Sequence, residues 1–213
     1  MADQRVYAKQ QGVPRSSDDT WVSLRASRDG APIVMPWQVA LAIEGRCYQV
    51  RLGTITTPLT GDVEITDTAA EAAAEAAAGN TIIPLFVNVE IEALGGTLPQ
   101  AAFKSVGAVI TTLGTAFIPL NLRVGGPAAQ GRAAVAAAGG VAVAAELNTT
   151  TRVLASNHLT TLTNGQPLLD KDFVVPHVLV GPASVYLQVG SVATGSTYFA
   201  FFNYAELLTN DVT

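Results

Sequence analysis

The segment TDTAAEAAAEAAAGN, Thr66 to Asn80, decides how the rest of the chain is read. It is nearly pure alanine in a sequence otherwise made of short apolar runs and turn residues. Thr68 and Glu71 stand at capping-box spacing, alanine has the highest helix propensity, and Gly79 with Asn80 can end the run. On a helix Glu71 and Glu75 share one face. The spacing predicts a helix over Ala69 to Ala78, about 15 Å long at about 1.5 Å per residue and too short to stand alone in water. Methyl groups project little, so such a helix can lie close against a sheet or a neighbouring subunit but cannot anchor a core. A low-complexity linker is the alternative reading.

Outward from this segment the text is strand-like. Upstream, WQVALAIE (Trp37 to Glu44) and CYQVRLGTIT (Cys47 to Thr56) read as two strands turned at Gly45 and Arg46, and DVEIT adds a short extended piece. Downstream, TIIPLFVNVEIEALGG alternates with period two. Leu85, Val87, Val89, Ile91 and Ala93 fall on one face; Phe86, Asn88, Glu90 and Glu92 fall on the other. Pro84 belongs at a strand start or edge. FKSVGAVITTL and TAFIPLNLRV read as strands linked at Gly114.

Residues 125–160 read two ways. Arg132 to Ala138 has the composition of a short helix that Gly139 and Gly140 would stop, and VAVAAEL with TRVLAS reads as extended chain. Asn164–Gly165 is a turn signal, followed by DFVVPHVLVG, SVYLQVG and STYFAFFNYAEL as the last strands. In the last of these, Tyr198, Ala200 and Phe202 gather on one side and Phe199, Phe201 and Tyr204 near each other on the second. A strand with aromatics on both faces is covered on both. Strands in this number, separated by Gly, Pro, Asn and Thr, indicate a β-sandwich or barrel.

The 213 residues are 49% hydrophobic but only 14% charged, where ordinary soluble domains carry about 25% charge. Either Thr, Ser, Asn and Gln finish the surface or neighbouring subunits cover it, since interface cores are depleted in charge. A net charge of −5 argues against a phosphate-gripping protein. Residues 1–35 read as an extended arm whose Arg5, Lys9, Arg15, Arg25 and Arg28 are nearly balanced by Asp3, Asp18, Asp19 and Asp29. No apolar run reaches the length of a membrane span, and the start lacks the apolar region of a signal peptide. The expectation is a soluble chain made in the cytoplasm, on which the Asn148–Thr150 triplet is a polar turn and not a glycosylation site.

Chemistry is thinly represented. The two histidines, His158 and His177, stand in different neighbourhoods, and each reads more readily as a packed or loop residue than as a metal ligand. No nucleophile elbow, phosphate loop or zinc-like cysteine spacing occurs. Asp170 and Asp172 flanking Lys171 could bind a cation or form part of a carboxylate pair, but they read first as a solvated turn that needs no function; Glu90 and Glu92 read as solvent-facing or edge-protecting carboxylates. The lone Cys47 reads as a small buried apolar residue. No catalytic, cofactor-binding or metal residues are assigned, and an enzyme is not expected.

Taken in order, these elements resemble the viral single jelly-roll capsid fold, whose eight strands, B to I, form two four-stranded sheets. The resemblance is one of element order over residues 36 to 207 and rests on no sequence motif. It matches WQVALAIE to B, CYQVRLGTIT to C, the alanine segment to a helix between C and D, and IIPLFVNVEIEAL to D. FKSVGAVITTL and TAFIPLNLRV follow as E and F, VAVAAEL as G, SVYLQVG or DFVVPHVLVG as H, and STYFAFFNY as I.

The resemblance implies an all-β fold: an eight-stranded jelly-roll β-sandwich over 36–213, one short α-helix between the second and third strands, and an extended N-terminal arm over 1–35. It implies a capsid subunit in the virion, self-assembling with copies of itself and with room for other capsid proteins or an internal viral membrane. No cofactor and no sequence-specific nucleic acid are implied. A nearly neutral arm cannot neutralise packaged RNA, which makes the chain more similar to coat proteins of DNA viruses. Interface candidates are Tyr7, Trp21, Trp37, Ala73, Ala77, Phe199, Phe201 and Tyr204. The alternative function is a phage fibre head or carbohydrate-binding sandwich acting in receptor recognition, with its site in loops 125–132 or 157–172.

Overall fold

The computed structural model describes residues 5–7, 21–23, 36–63, 65, 69–112, 114–135, 141–143, 151–160, 167–192 and 194–211. Most of the 1–35 arm, the capping residue Thr68, the Asn148 triplet, the Asn164–Gly165 turn and the far part of the 132–138 helix reading lie outside them. Strands β1 (Arg5–Tyr7) and β2 (Trp21–Ser23) pair with each other. Helix α1 (Trp37–Ile43) leads to β3 (Cys47–Leu52), β4 (Leu59–Thr60), β5 (Ala69–Ala70), β6 (Ala72–Ala76), β7 (Asn80–Ala93) and β8 (Thr97–Val106). Short strands β9 (Ile110–Thr112), β10 (Thr115–Phe117), β11 (Leu120–Asn121), β12 (Ala133–Val135) and β13 (Val141–Val143) lie in the connection to β14 (Arg152–His158). β15 (Leu169–Asp172), β16 (Leu179–Val180), β17 (Ala183–Val192) and β18 (Thr197–Leu208) complete the set.

These strands build an all-β sandwich of two antiparallel sheets. One sheet runs β11-β3-β18-β7-β15, with β4 and β16 on its flanks; the other runs β10-β12-β6-β17-β8-β14. A small third sheet, β5-β13-β9, contributes Ala70 and Ile110 to a cluster with Ala73, Val106, Ala134 and Tyr186 on the outer side of the second. The pairing is nested along the chain: β3 bonds to β18, β6 to β17, β7 to β15, and β8 to β14. Two further seams, β18 with β7 and β17 with β8, close each sheet. Between the sheets, Val50, Leu52, Val87, Val89, Tyr198 and Phe202 meet Ala72, Ala74, Phe103, Val185 and Leu187. Phe103 and Phe202 touch across the gap with centroids 5.2 Å apart.

The alanine segment is strand and not helix. β6 lies inside its sheet between β12 and β17, and all five of its residues are buried. Ala72, Ala74 and Ala76 face the main core, while Ala73 faces the outer cluster opposite Tyr186. Helix propensity separates residues by only tenths of a kcal/mol each, and a ten-residue helix is marginal alone. Flanking strands that pair the backbone of this buried segment on both sides, β12 along Ala72–Ala74 and β17 along Ala72–Ala76, outweigh it. Small side chains suit this strand because its neighbours on β17, Tyr186 and Leu187, are large.

The helix of the fold is α1, where alternation predicts a strand. Six of the seven residues in WQVALAI are apolar, so the pattern carries no period to distinguish strand from helix. Its ends decide. Pro36 precedes it with φ −53°, and Gly45, at φ +75°, closes it in a Schellman motif: Arg46 N–H donates to Leu41 O at 2.9 Å and Gly45 N–H to Ala42 O at 3.0 Å. The Gly45–Arg46 pair is therefore a helix stop and not a hairpin turn.

Smaller departures have local causes. In β7 the pairing skips Leu85 between Pro84 and Phe86, so Leu85 leaves the face of Val87, Val89 and Ile91 and packs near Ile83 instead. β8 begins at Thr97, six residues before the predicted strand, and ends before Gly107. TAFIPLNLRV breaks at Ile118–Pro119 into β10 and β11, which join different sheets. LLDKDF is strand β15 and not a loop. In β18, Tyr198, Ala200, Phe202 and Tyr204 all point inward, so Tyr204 leaves the company of Phe199 and Phe201.

Candidate functional site

Three buried carboxylates stand where sequence reasoning sees none. Glu75 projects from β6 to the outer side of its sheet, 4% exposed, where it accepts Ile110 N–H at 2.9 Å and a two-pronged contact from Arg132, whose Nη2 is 3.0 Å away. Glu206, at the far end of β18, accepts Gln130 N–H at 2.8 Å and Gly131 N–H at 2.6 Å. Burial raises its pKa and those two N–H groups oppose the rise. Gly131 passes between the two acids so closely that a Cβ there would lie 2.0 Å from Glu75 O. The acids thus fasten the 122–132 loop to the sandwich, a structural use.

The third, Glu71, sits at the bend between β5 and β6 and turns toward the inward-facing Tyr198. Burial, and next the charge of Asp62, push its pKa up to about 7, while the Tyr198 hydroxyl and the Asp62 backbone act the other way. Tyr198 is held well above its ordinary value by burial and then by Glu71 and Asp62. On a helix Glu71 and Glu75 share a face; the bend sends them to opposite sides of a sheet. The signal available in the sequence was two acids inside an otherwise apolar run.

The residues with chemical potential are not brought together. His177 stands edge-on to Phe173 at 5.7 Å and lines a cavity of about 380 Å³ with Ser105, Arg152 and Leu179. His158 is at the other end of β14 from Arg152, about 20 Å along the strand. Asp170 and Asp172 pair opposite Asn88 and Phe86 on β7; Glu90 lies opposite Phe199, and Glu92 accepts Thr197 Oγ1 at 3.2 Å. Among the described residues no three His, Cys, Asp or Glu side chains gather as a metal centre would require. Cys47 is free and 1% exposed, with burial pushing its thiol up to about 11, so it is not a thiolate nucleophile.

The interface candidates separate into surface and core. Ala73 is fully buried and Tyr204 is 1% exposed against Tyr48, so both belong to the chain's own interior and are not surface residues. Ala77 and Trp37 are exposed, and Phe199 and Phe201 are half-buried, Phe201 lying on Phe86 at 5.5 Å. Tyr7 and Trp21 are direct partners in the β1–β2 register. An apolar surface that the sequence did not single out beyond Trp37 lies around α1, with Val39 and Ile43 exposed near Leu122. No helix among the described residues is long and apolar enough to cross a membrane. Comparison with protein-family models, curated proteins and solved structures returned no match.

Proposed function

We propose that this chain is a structural virion protein, a capsid subunit that self-assembles into a shell through lateral contacts of a jelly roll, its loops and its N-terminal arm. The observation that carries the reading is the nested pairing. A jelly roll is an eight-stranded antiparallel ribbon rolled into two sheets, in which first pairs with last, second with seventh, third with sixth and fourth with fifth. β3, β6, β7, β8, β14, β15, β17 and β18 pair in that order.

On this reading the strand letters change. Cys47–Leu52 is B, the alanine strand is C, and F and G are β14 and β15, while D, E, H and I keep their places. The piece TAFIPLNLRV and the VAVAAEL region fall in a long E-to-F connection, 107–151. Low overall charge and exposed apolar surface around α1 add support, because closed symmetry multiplies weak contacts.

Electron microscopy of the purified protein tests the proposal. Closed shells or five- and six-fold rings are expected. A strict monomer at high concentration would sink it, and a stable trimer retained on a glycan array would favour the receptor-binding alternative.

A further inference from the structure

The cavity of about 380 Å³ beside His177 lies where edge strand β14 of one sheet faces the segment that leads into β16 on the other. Ser105 on β8 stands opposite both Val185 of β17 and Arg152 of β14. Residues opposite each other share a face, and Val185 belongs to the core, so Ser105 and Arg152 turn toward the gap between the sheets. Leu154, two residues on, takes the same side and packs on the core. From across the gap come His177, Val178 and Leu179. Phe173 is 5% exposed, touches Phe103 of the core at 5.8 Å and holds His177 at 5.7 Å, so the imidazole is fixed from the interior outward.

The lining is two-sided in its chemistry. Leu154 and Leu179 both pack on the core and make an apolar floor, while the polar side chains are Ser105, 2% exposed, Arg152 at the open rim and His177. No Asp or Glu is among the residues that line the cavity, although the chain's net charge is −5. A guanidinium carries five N–H donors and no acceptor, enough to serve a ligand besides other partners, and the imidazole and the serine hydroxyl each add a donor.

We propose that this cavity binds a small monocarboxylate with an apolar body, its carboxylate held by Arg152 with Ser105 and His177 and its body against Leu154, Val178 and Leu179. A carboxylate matches the planar fork of a guanidinium with two parallel N–H···O bonds. A free phosphate fits less well, because it has more oxygens than three side chains satisfy, and the leucine and valine walls would strip water from the rest. Cavities of about 300–1,000 Å³, mostly apolar with a few convergent polar groups, are the usual size for small-molecule sites, and this one lies at the lower end. The proposal does not depend on how copies of the chain assemble.

Isothermal titration calorimetry of the full chain with sodium hexanoate tests it. One saturable site per chain is expected, with a dissociation constant on the order of 0.1–1 mM for so small a ligand. Arg152→Gln should weaken binding by at least about tenfold by removing the fork, and Val178→Asp should do the same by setting a carboxylate beside the ligand's own. Both positions are exposed, so the melting temperature should hold; if Arg152→Gln fails to fold, Val178→Asp decides alone. Hexan-1-ol, the same body without the charge, should bind at least about tenfold more weakly, and inorganic phosphate should leave hexanoate binding unchanged. No saturable heat with hexanoate overturns the proposal, as does binding that the folded variants leave intact. Hexan-1-ol binding as tightly as hexanoate, or phosphate displacing it, overturns the assigned ligand class. Shells or rings seen by microscopy are unaffected by any of these results, so the failure of this site and the failure of self-assembly are told apart.

Discussion

Glu71 makes stability depend on pH in an unusual direction. Its ordinary value is 4.5 and in the fold it is about 7, so the folded chain holds the proton more tightly than the unfolded one between those values. Stability therefore falls as pH rises from 4.5 to 7 and has lost this contribution above 7, by an amount on the order of 3 kcal/mol. Urea midpoints at pH 5 and pH 8 should show the difference, and Glu71→Gln should remove most of it while stabilising the protein at pH 8. A pH-independent parent midpoint would refute the assignment. Gly131 supplies a second prediction at this scale. Gly131→Ala drives a methyl against the Glu75 carbonyl and displaces the N–H that Glu206 accepts, so a loss of several kcal/mol, or failure to fold, is expected in the same titration.

At the scale of elements, β6 and α1 exchange the identities that their sequences suggest. Substitution separates the two readings of the alanine segment. On an exposed or loosely packed helix Ala74→Leu is nearly neutral, because leucine is also a strong helix former. In a wholly buried strand packed into the core it adds three carbons where there is no space and should cost about 1–3 kcal/mol by thermal or urea unfolding. A synthetic peptide of residues 66–80 should still show helical circular dichroism when trifluoroethanol is added, since its local preference is unchanged. Helix α1 was missed for the converse reason. Its residues are so uniformly apolar that periodicity has nothing to measure, and its Schellman stop, legible as Gly45 followed by Arg46, has the same spelling as a hairpin turn.

For the whole molecule, the nested pairing sets the folding speed. Gln49 and Asn203 bond across neighbouring strands although 154 residues separate them, and the long pairing of β3 with β18 cannot form until the last strand is in place. Such non-local closure is slow, so stopped-flow refolding should take from milliseconds to seconds, far slower than a helical bundle of similar length. The all-β class, the strands at β3, β7, β17 and β18 and the buried Cys47 were legible, because period two and composition are local properties. The fastening role of Glu75 and Glu206 was not, because each carboxylate meets partners 35 to 76 residues away. Nor was the patch around α1, since exposure of an apolar side chain is a statement about what else packs on it. By itself the sequence determined that the fold is mostly extended chain, with strands at β3, β7, β17 and β18, and how little charge the protein has for its surface. Only the tertiary structure decided that the alanines form a strand and that Trp37–Ile43 forms a helix. Where local preference amounts to tenths of a kcal/mol per residue, the burial and backbone pairing available in the assembled sandwich prevail.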